Sequence, residues 1–238
     1  MSKLFIAGHQ GLGDHILCNG LYRELAKKHK LCVLAVKIVN FRSLKRMLGD
    51  QRNILIIPIP DKKVSFFLEK LQQFFNLFGF KCLKLGYKGE NFLRGDIRFD
   101  ENFYLQAKVD FIKRWESFSY FRNQELEMKL FKELECDREP YIFVHEDLQR
   151  GFLIDKKLIK SNIRIITPLP KTKKLNFFDY RFILESASEV HCIESSFCAF
   201  VESLQIPVKK FAHRYARPEA SNDFCHEFTY KSNWTIFK

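Results

Sequence analysis

Residues 3–25, KLFIAGHQGLGDHILCNGLYREL, contain a buried strand, a glycine-rich turn and an amphipathic helix in succession. The apolar run KLFIAG at 3–8 predicts a strand that is buried on both faces. The segment HILCNGLYRELAKKH at 15–29 predicts a helix, because its leucines and isoleucine share one helical face and its charges lie opposite. A strand, a turn and a helix in this order indicate the first unit of a parallel α/β sheet.

The same alternation continues to about residue 85, which predicts one Rossmann-like half. LCVLAVK at 31–37 and residues 54–57 are expected to be strands, residues 62–77 a helix, and residues 82–85 a short strand. From 101 to 135 the chain is charged, aromatic and helical in pattern, with no strand candidate.

Strand and helix patterns resume after this region. The expected strands are 141–145, 162–168, 189–193 and 208–212, and the expected helices are 177–187 and 195–204. We therefore predict an α/β fold of two Rossmann-like halves that face a cleft, each with a mostly parallel sheet. The predicted boundaries are 1–100 for the N-terminal domain, 101–140 for a helical connecting region and 141–238 for the C-terminal domain.

Composition limits the classes of protein to consider. The chain has 238 residues and 46% hydrophobic content, enough to bury a core, and its apolar runs are shorter than the roughly 20 residues of a membrane-spanning helix. Its N-terminus lacks the pattern of a secretory signal, and its seven cysteines form no CxxC pair, so we expect a cytoplasmic protein with reduced cysteines.

The net charge of +12 indicates an anionic partner. Nucleic acid, a lipid headgroup and a diphosphate all fit this charge. The lysine-rich run KTKK at 171–174 is expected to be a solvated loop, with weak attraction to an anionic membrane or acceptor as an alternative. Peripheral contact with the inner face of a membrane is therefore kept as an open alternative.

The turn GHQGLGDHI at 8–16 is the strongest local indication of a ligand site. Its glycines, Gly11 and Gly13 among them, allow the backbone to approach a ligand, and the following helix presents unpaired amides to an anion. We include Gly11, Gly13 and His15 among the candidate substrate contacts. The spacing GxGxxG and a GKS or GKT triplet are both missing from the sequence, which weakens classical dinucleotide or triphosphate binding.

Asp14 stands at the start of that helix, where two roles are open. A carboxylate there can be an N-cap that accepts backbone N–H groups. A carboxylate on a glycine-rich turn at the mouth of an α/β sheet can also take a proton from an acceptor hydroxyl, which is the general-base step of an inverting transfer.

The second half offers its own candidates at the ends of its strands. His145 follows the strand 141–145, where open α/β sheets bind ligands, although a histidine there is also commonly structural. No DxD triplet stands on a loop, so we expect Arg150 and the start of helix 195–204 to accept the charge of an anionic leaving group. This predicts a metal-independent site without a cofactor.

Two segments resemble a known group of enzymes. GLGDHILCNGLYREL at 11–25 looks like the opening of heptosyltransferase-like glycosyltransferases of the GT-B type, and SASEVHCIESSFCAFVESLQIPV at 186–208 is similar to their late strand-turn-helix. YIFVHEDLQRGFLI at 141–154 also resembles a segment of small bacterial glycosyltransferases and of fucosyltransferase-like enzymes. Glu-Ser-Ser stands here where the heptosyltransferase group tends to show Asp-Thr-Gly.

The resemblance implies a fold, an activity and roles for four residues. It implies a GT-B enzyme that moves a sugar from a nucleotide-sugar donor to a hydroxyl of a glycan or glycolipid. Asp14 would be the catalytic base, and Glu194, Ser195 and Ser196 would contact the sugar or diphosphate of the donor. The N-terminal half would then be the acceptor side and the C-terminal half the donor side.

Two other classes of function compete with this interpretation. A nucleic-acid-binding module fits the positive charge, but the charge is spread along the chain and no recognised nucleic-acid motif is found, so no nucleic acid is expected. A non-catalytic nucleotide-binding α/β protein fits the fold. Asp14 distinguishes these alternatives, because a pure binder has no need of an acid-base carboxylate on that turn.

Overall fold

The structure is a computed structural model that describes residues 2–86, 97–160, 162–170, 175–217 and 228–238. The chain divides into two compact units, Met1–Phe121 and Arg122–Lys238, called unit 1 and unit 2 below. The lysine-rich run at 171–174 lies outside the described residues. No helix within the described ranges is long and apolar enough to cross a membrane.

Unit 1 contains a parallel sheet of four strands in the order β3-β2-β1-β4. The strands are β1 Lys3–Ala7, β2 Leu31–Lys37, β3 Ile54–Ile59 and β4 Lys81–Lys84. The helices are α1 Leu12–Leu17, α2 Asn19–Lys28, α3 Ile38–Leu48, α4 Val64–Leu77, α5 Phe99–Ala107 and α6 Lys113–Glu116. One face of the sheet packs against α4, where Phe5 and Val33 meet Leu68 and Phe75 in one apolar cluster.

The single helix predicted at 15–29 is two helices, α1 and α2, that meet at Cys18. The hydroxyl group of Tyr104, in α5, donates to the carbonyl of Leu17 and accepts the N–H of Leu21. This side chain, distant in sequence, satisfies backbone groups beside the junction. The junction therefore depends on tertiary packing that the local pattern does not contain.

Unit 2 contains a second parallel sheet, of five strands in the order β6-β5-β7-β8-β9. Its strands are β5 Tyr141–His145, β6 Arg164–Ile166, β7 Glu189–Cys192, β8 Lys209–His213 and β9 Thr235–Phe237. Its helices are α7 Gln124–Glu133, α8 Arg181–Ser186 and α9 Ser196–Leu204. Short 3-10 turns lie at Lys156–Leu158, Phe177–Tyr180 and Arg214–Ala216.

Glu202, in α9, holds the C-terminal segment in place. Its buried carboxylate accepts hydrogen bonds from the backbone of Lys231 and Ser232, from the Ser232 hydroxyl and from the indole of Trp234. A carboxylate with this many donors is satisfied inside the protein. The chain after Trp234 then adds β9 to the edge of the sheet beside β8.

The prediction of an α/β protein with two Rossmann-like halves, each with a mostly parallel sheet, is confirmed. The boundary between the two units falls at residues 121–122, inside the segment 101–140 that the sequence predicts to be helical and connecting. Helices α5, α6 and α7 lie wholly or mostly in that segment.

Candidate functional site

In unit 1 the glycine-rich turn follows β1, at the carboxyl edge of the sheet. β1 lies between β2 and β4. The chain adds β2 and β3 on one side of β1 and β4 on the other side, so the strand order reverses at β1. Open α/β sheets bind their ligands outside the carboxyl ends of the strands at such a switch point. The loop after β1 and the loop after β4 meet here, because Leu85 N–H donates to the carbonyl of Ala7 at 2.9 Å.

Asp14 is the third residue of α1 and keeps part of its carboxylate exposed. Gly11 is the N-cap of α1, and one carboxylate oxygen of Asp14 accepts the N–H of Gly11 at 3.2 Å. A Cβ atom at position 11 would lie 2.8 Å from that oxygen, so the close approach favours glycine. The carboxylate therefore closes the first turn of α1 and also remains accessible, with 24% of the side chain exposed. The N-cap role considered for Asp14 is wrong, because Gly11 is the N-cap and the Asp14 carboxylate accepts its N–H from the third position of the helix. The general-base role stays a prediction.

His9 lies beside Asp14 and was missed as a candidate. Its Nε2 atom is 2.7 Å from the carbonyl oxygen of Gly86, and because a carbonyl only accepts, Nε2 carries the proton. Its Nδ1 atom lies 3.9 Å from Oδ2 of Asp14. The rings of Phe99 and Phe103 flank the imidazole, with centroids at 5.6 and 5.7 Å. The imidazole thus joins the loop after β4 to the candidate base.

Gly86 makes this arrangement possible. Its φ of +77° lies in the left-handed region, and a Cβ atom there would lie 2.6 Å from Phe103 and 2.7 Å from His9. A side chain at position 86 would therefore displace the imidazole.

Gln10 fixes the other side of the turn. Its side-chain amide donates to the carbonyls of Gly8 and Ala35 and accepts the N–H of Lys37, all within 3.1 Å. Asn40 donates to the Gln10 carbonyl at 2.9 Å. The turn is therefore bound to the end of β2 on one side and to the loop after β4 on the other.

His15 does not contribute to the exposed part of this site. It is completely buried, and its Nδ1 atom lies 3.1 Å from the hydroxyl of Tyr22. Burial, with smaller electrostatic contributions from the neighbouring His9 and Lys37, lowers the pKa of His15 to about 3. The neutral imidazole therefore packs in the core. Gly13 lies half-buried within α1, and contact of either residue with substrate stays a prediction.

In unit 2 the predicted residues after β5 and β7 come together. These two strands are neighbours at the switch point of the second sheet. Nδ1 of His145, at the end of β5, lies 3.0 Å from the hydroxyl oxygen of Ser195, the N-cap residue of α9. Among the described contacts this hydroxyl makes no cap bond to α9. Ser196 is the first residue of α9 and is half-buried.

Glu194 is buried behind this turn. One carboxylate oxygen accepts the hydroxyl of Tyr230 at 2.8 Å and lies 3.4 Å from Nε of Arg214. Both Glu194 and Arg214 are almost completely buried, and the guanidinium of Arg217 donates to the backbone carbonyl of Glu194. In this conformation Glu194 holds two arginines near α9, while its own contact with a donor stays a prediction.

The basic stretch His213, Arg214, Tyr215 and Arg217 is part of the folded unit. His213 and Arg214 are both buried, so this stretch is not a solvated tail. His191 is also packed in unit 2: it is 1% exposed, and its Nδ1 atom lies 3.0 Å from Nε2 of His213. Burial, with the charges of His191 and Lys156, lowers the pKa of His213 to about 4.

Arg150 and Arg217 form a cationic pair around one aromatic ring. Their guanidinium carbons lie 4.9 and 5.8 Å from the centroid of Phe152. Nε of Arg150 donates to Asp147 at 2.7 Å, and the Arg150 side chain is 55% exposed. Burial raises the pKa of Asp147, but the hydrogen bonds from Arg150 outweigh this effect and hold the pKa below its usual value. The Asp147 carboxylate is therefore ionised and orients Arg150.

The described residues of the chain contain no group of three or more His, Cys, Asp or Glu that could hold a metal ion. Among the described residues, the exposed guanidinium of Arg150 and the partly exposed guanidinium of Arg217 offer positive charge to a phosphate group at the switch point of unit 2. Such groups bind phosphate oxygens with two parallel hydrogen bonds.

Comparison with known proteins shows the fold. No protein-family model matches the chain, and no curated protein matches its sequence. Solved structures do match. The glycosyl transferase family 9 protein from Veillonella parvula aligns with a TM-score of 0.58 at 12% identity, over 99% of this chain and 86% of that one.

Two E. coli enzymes align in the same way. The ADP-heptose lps heptosyltransferase II has a TM-score of 0.57 at 11% identity, over 100% of this chain and 90% of that one. The heptosyltransferase WaaC, solved with ADP-2-deoxy-2-fluoro heptose, has a TM-score of 0.52 at 11% identity, over 100% and 93%. The chain therefore has two Rossmann-like halves of the GT-B type. Its fold is that of the heptosyltransferase-like glycosyltransferases, as the motifs at 11–25 and 186–208 predict.

Proposed function

We propose that the protein is a glycosyltransferase that moves a sugar from a nucleotide-sugar donor to a hydroxyl group of a glycan or glycolipid acceptor. The observation that carries the proposal is the partly exposed Asp14 carboxylate at the switch point of unit 1, held by Gly11 and flanked by His9. The GT-B fold, and the similarity to heptosyltransferase WaaC solved with ADP-2-deoxy-2-fluoro heptose, support the same class of reaction.

Asp14 is the general base in the proposed mechanism. It takes the proton of the acceptor hydroxyl while the acceptor oxygen attacks the anomeric carbon of the donor sugar. The bond from that carbon to the diphosphate oxygen breaks, and the nucleoside diphosphate leaves with the electron pair. Direct displacement of this kind inverts the anomeric configuration. His9 is a positioning residue here, because its ring lies between the Gly86 carbonyl and the Asp14 carboxylate.

Unit 2 provides the groups that accept the charge of the leaving diphosphate. The first-turn amides of α9, which begins at Ser196, form one positive end. Arg150 and Arg217 beside Phe152 provide two full positive charges. Preorganised cations and amides stabilise negative charge that develops in a transition state. We therefore propose a metal-independent reaction that needs no cofactor, with either a hexose or a heptose as the transferred sugar.

A thermal-shift screen of the purified protein tests the donor class. The ligands are nucleoside diphosphates and nucleotide sugars, each with EDTA and with magnesium, and single-stranded DNA and RNA are included. We expect one nucleotide to stabilise the protein selectively and equally in EDTA, by about 2.7 kcal/mol at 100 times its Kd. Stabilisation by nucleic acid alone would show that the protein is a nucleic-acid-binding module.

Turnover separates the enzyme from a non-catalytic binder. The nucleotide sugar that gives the largest shift is incubated with the protein and glycan or glycolipid acceptors, and released nucleoside diphosphate is measured. NMR of the product then reports the anomeric configuration, for which we expect inversion. Binding without release of nucleoside diphosphate for any acceptor would support the non-catalytic alternative.

A further inference from the structure

One face of α4 exposes apolar side chains that the core does not use. Residues 66, 70, 74, 77 and 78 lie three or four positions apart, so they share one side of the helix, opposite the buried Leu68 and Phe75. We call Phe66, Lys70, Phe74, Leu77 and Phe78 the α4 face. Its apolar side chains are between 52% and 86% exposed, with Leu77 the most exposed.

Two pairs of side chains within the α4 face lie close to each other. The ring centroids of Phe74 and Phe78 are 4.7 Å apart, and Nζ of Lys70 lies 5.8 Å from the Phe66 ring. Over its 14 residues α4 is about 21 Å long. Exposed apolar side chains grouped on one face of a helix are a feature of sites that interact with a protein or a membrane.

The charge around the α4 face favours an anionic lipid surface as the partner. Residues 61–84 contain five lysines and two carboxylates, and Lys62, Lys63 and Lys70 are exposed. Lysines beside exposed aromatic and leucine side chains fit the headgroup layer of an anionic bilayer, where the rings enter the acyl boundary and the ammonium groups stay with the phosphates. A two-fold contact with a second copy would place this lysine-rich face against itself, which like charges disfavour.

We propose that the α4 face docks unit 1 on an anionic lipid surface. The inference does not depend on the proposed reaction. Where both hold, they fit together, because α4 begins after β3 at the carboxyl edge of the sheet, the edge that also carries the turn with Asp14. A helix lying flat on the bilayer would keep that edge near the headgroups, where a glycolipid acceptor presents its hydroxyl groups.

Vesicle sedimentation tests the docking surface. The full chain is mixed with phosphatidylcholine vesicles, with and without phosphatidylglycerol as one-third of the lipid, and the bound fraction is measured as sodium chloride is raised. We expect binding to the anionic vesicles that weakens with salt. Equal binding to both kinds of vesicle, or binding to neither, would overturn the proposal.

Matched variants locate the contact. Lys70→Gln should weaken binding to anionic vesicles about fivefold, and Leu77→Ser about tenfold. The controls are Lys129→Gln and Leu105→Ser, an exposed lysine and a half-exposed leucine on other helices, and they should change binding less than about twofold. Equal losses in the controls would contradict the assignment.

Sedimentation velocity of the same variants without lipid tests the alternative that a second copy of the chain covers the α4 face. The proposal requires the same molecular mass for the unaltered protein and for Leu77→Ser. If Leu77→Ser converted a dimer into a monomer and left vesicle binding unchanged, the α4 face would be an interface between two copies and the membrane assignment would be wrong.

Discussion

The substitution Asp14→Asn separates the catalytic role of Asp14 from its role in the first turn of α1. Asparagine keeps the size of the side chain and an oxygen that can accept the Gly11 N–H. In the unaltered protein the Gly11 nitrogen lies 3.2 Å from Oδ2 of Asp14. It removes the negative charge and the capacity to take a proton. The loss of charge near a helix N-terminus lowers the free energy of unfolding by about 0.3–1 kcal/mol, which shifts Tm by no more than about 4 °C.

The expected effect on the reaction is much larger. General-base catalysis contributes about 10²–10⁴-fold to a rate, so we expect kcat to fall by that factor, or about 2.7–5.4 kcal/mol in activation free energy. The donor should still stabilise the variant against heat, because Asp14 lies in unit 1 and the proposed diphosphate contacts lie in unit 2. The assay is release of nucleoside diphosphate under saturating donor, with Tm measured on the same preparation.

Asp61→Asn is the matched control. Asp61 is an exposed carboxylate that accepts the N–H of Val39 at 3.2 Å, the same kind of bond at the same length as that of Asp14. It should keep activity within about twofold of the unaltered protein. If Asp14→Asn kept the rate as well as Asp61→Asn does, the carboxylate of Asp14 would be structural and the proposed mechanism would be refuted.

Three further predictions follow from the two sites. His9→Gln should lower kcat about 10- to 100-fold by releasing the candidate base, with the KM for the donor unchanged, and a change in KM alone would contradict a positioning role. Arg217→Ala should weaken binding of the nucleoside diphosphate about tenfold in calorimetry, whereas Arg138→Ala, at an arginine with 67% of its side chain exposed, should not. Burial lowers the pKa of His15 to about 3 and that of His213 to about 4, so the unfolded chain binds protons that the folded chain does not. The free energy of unfolding should therefore fall as pH drops below about 6.5, by about 2 kcal/mol for each histidine at about pH 5. Urea unfolding at several pH values measures this dependence. A free energy of unfolding that does not change with pH would contradict the prediction.

Most strands of both sheets were predictable, because short runs rich in apolar residues mark them along the chain. β1, β2, β5 and β7 lie within a residue of the predicted ends. Helix α3 was missed because it begins at Ile38, directly after β2, so no turn residue marks its start. β9 has three residues, and its assignment rests on pairing with β8 and on the bonds of Glu202, neither of which a local pattern contains.

The site residues that were predicted are those that a local pattern marks, at a turn, at the end of a strand or at the start of a helix. Asp14 and Gly11 belong to one turn, and Ser195 opens a helix that the pattern shows. His9 was missed because its hydrogen-bond partner follows β4, 77 residues later, and only the strand order brings the two together.

Arg217 was not chosen as a phosphate contact for the same reason. Its partners, Phe152 and the carbonyl of Glu194, follow two other strands. Sequence reasoning therefore finds residues that a local pattern marks, His145 and Ser195 among them, and misses those whose role depends only on contacts that the sheet order creates.

The close contact between Gly86 and His9 ties the evolution of two positions together. A Cβ atom at position 86 would lie 2.7 Å from the imidazole, so Gly86→Ala should be tolerated better when position 9 holds a smaller side chain than when it holds histidine. In a library randomised at both positions and selected for folding, survivors with a non-glycine residue at 86 should be depleted of histidine at 9. Selection for the reaction should enrich Gly86 together with His9. Selection for folding alone permits two combinations, Gly86 with His9 or a larger residue at 86 with a smaller residue at 9, whereas selection for the reaction permits only the first.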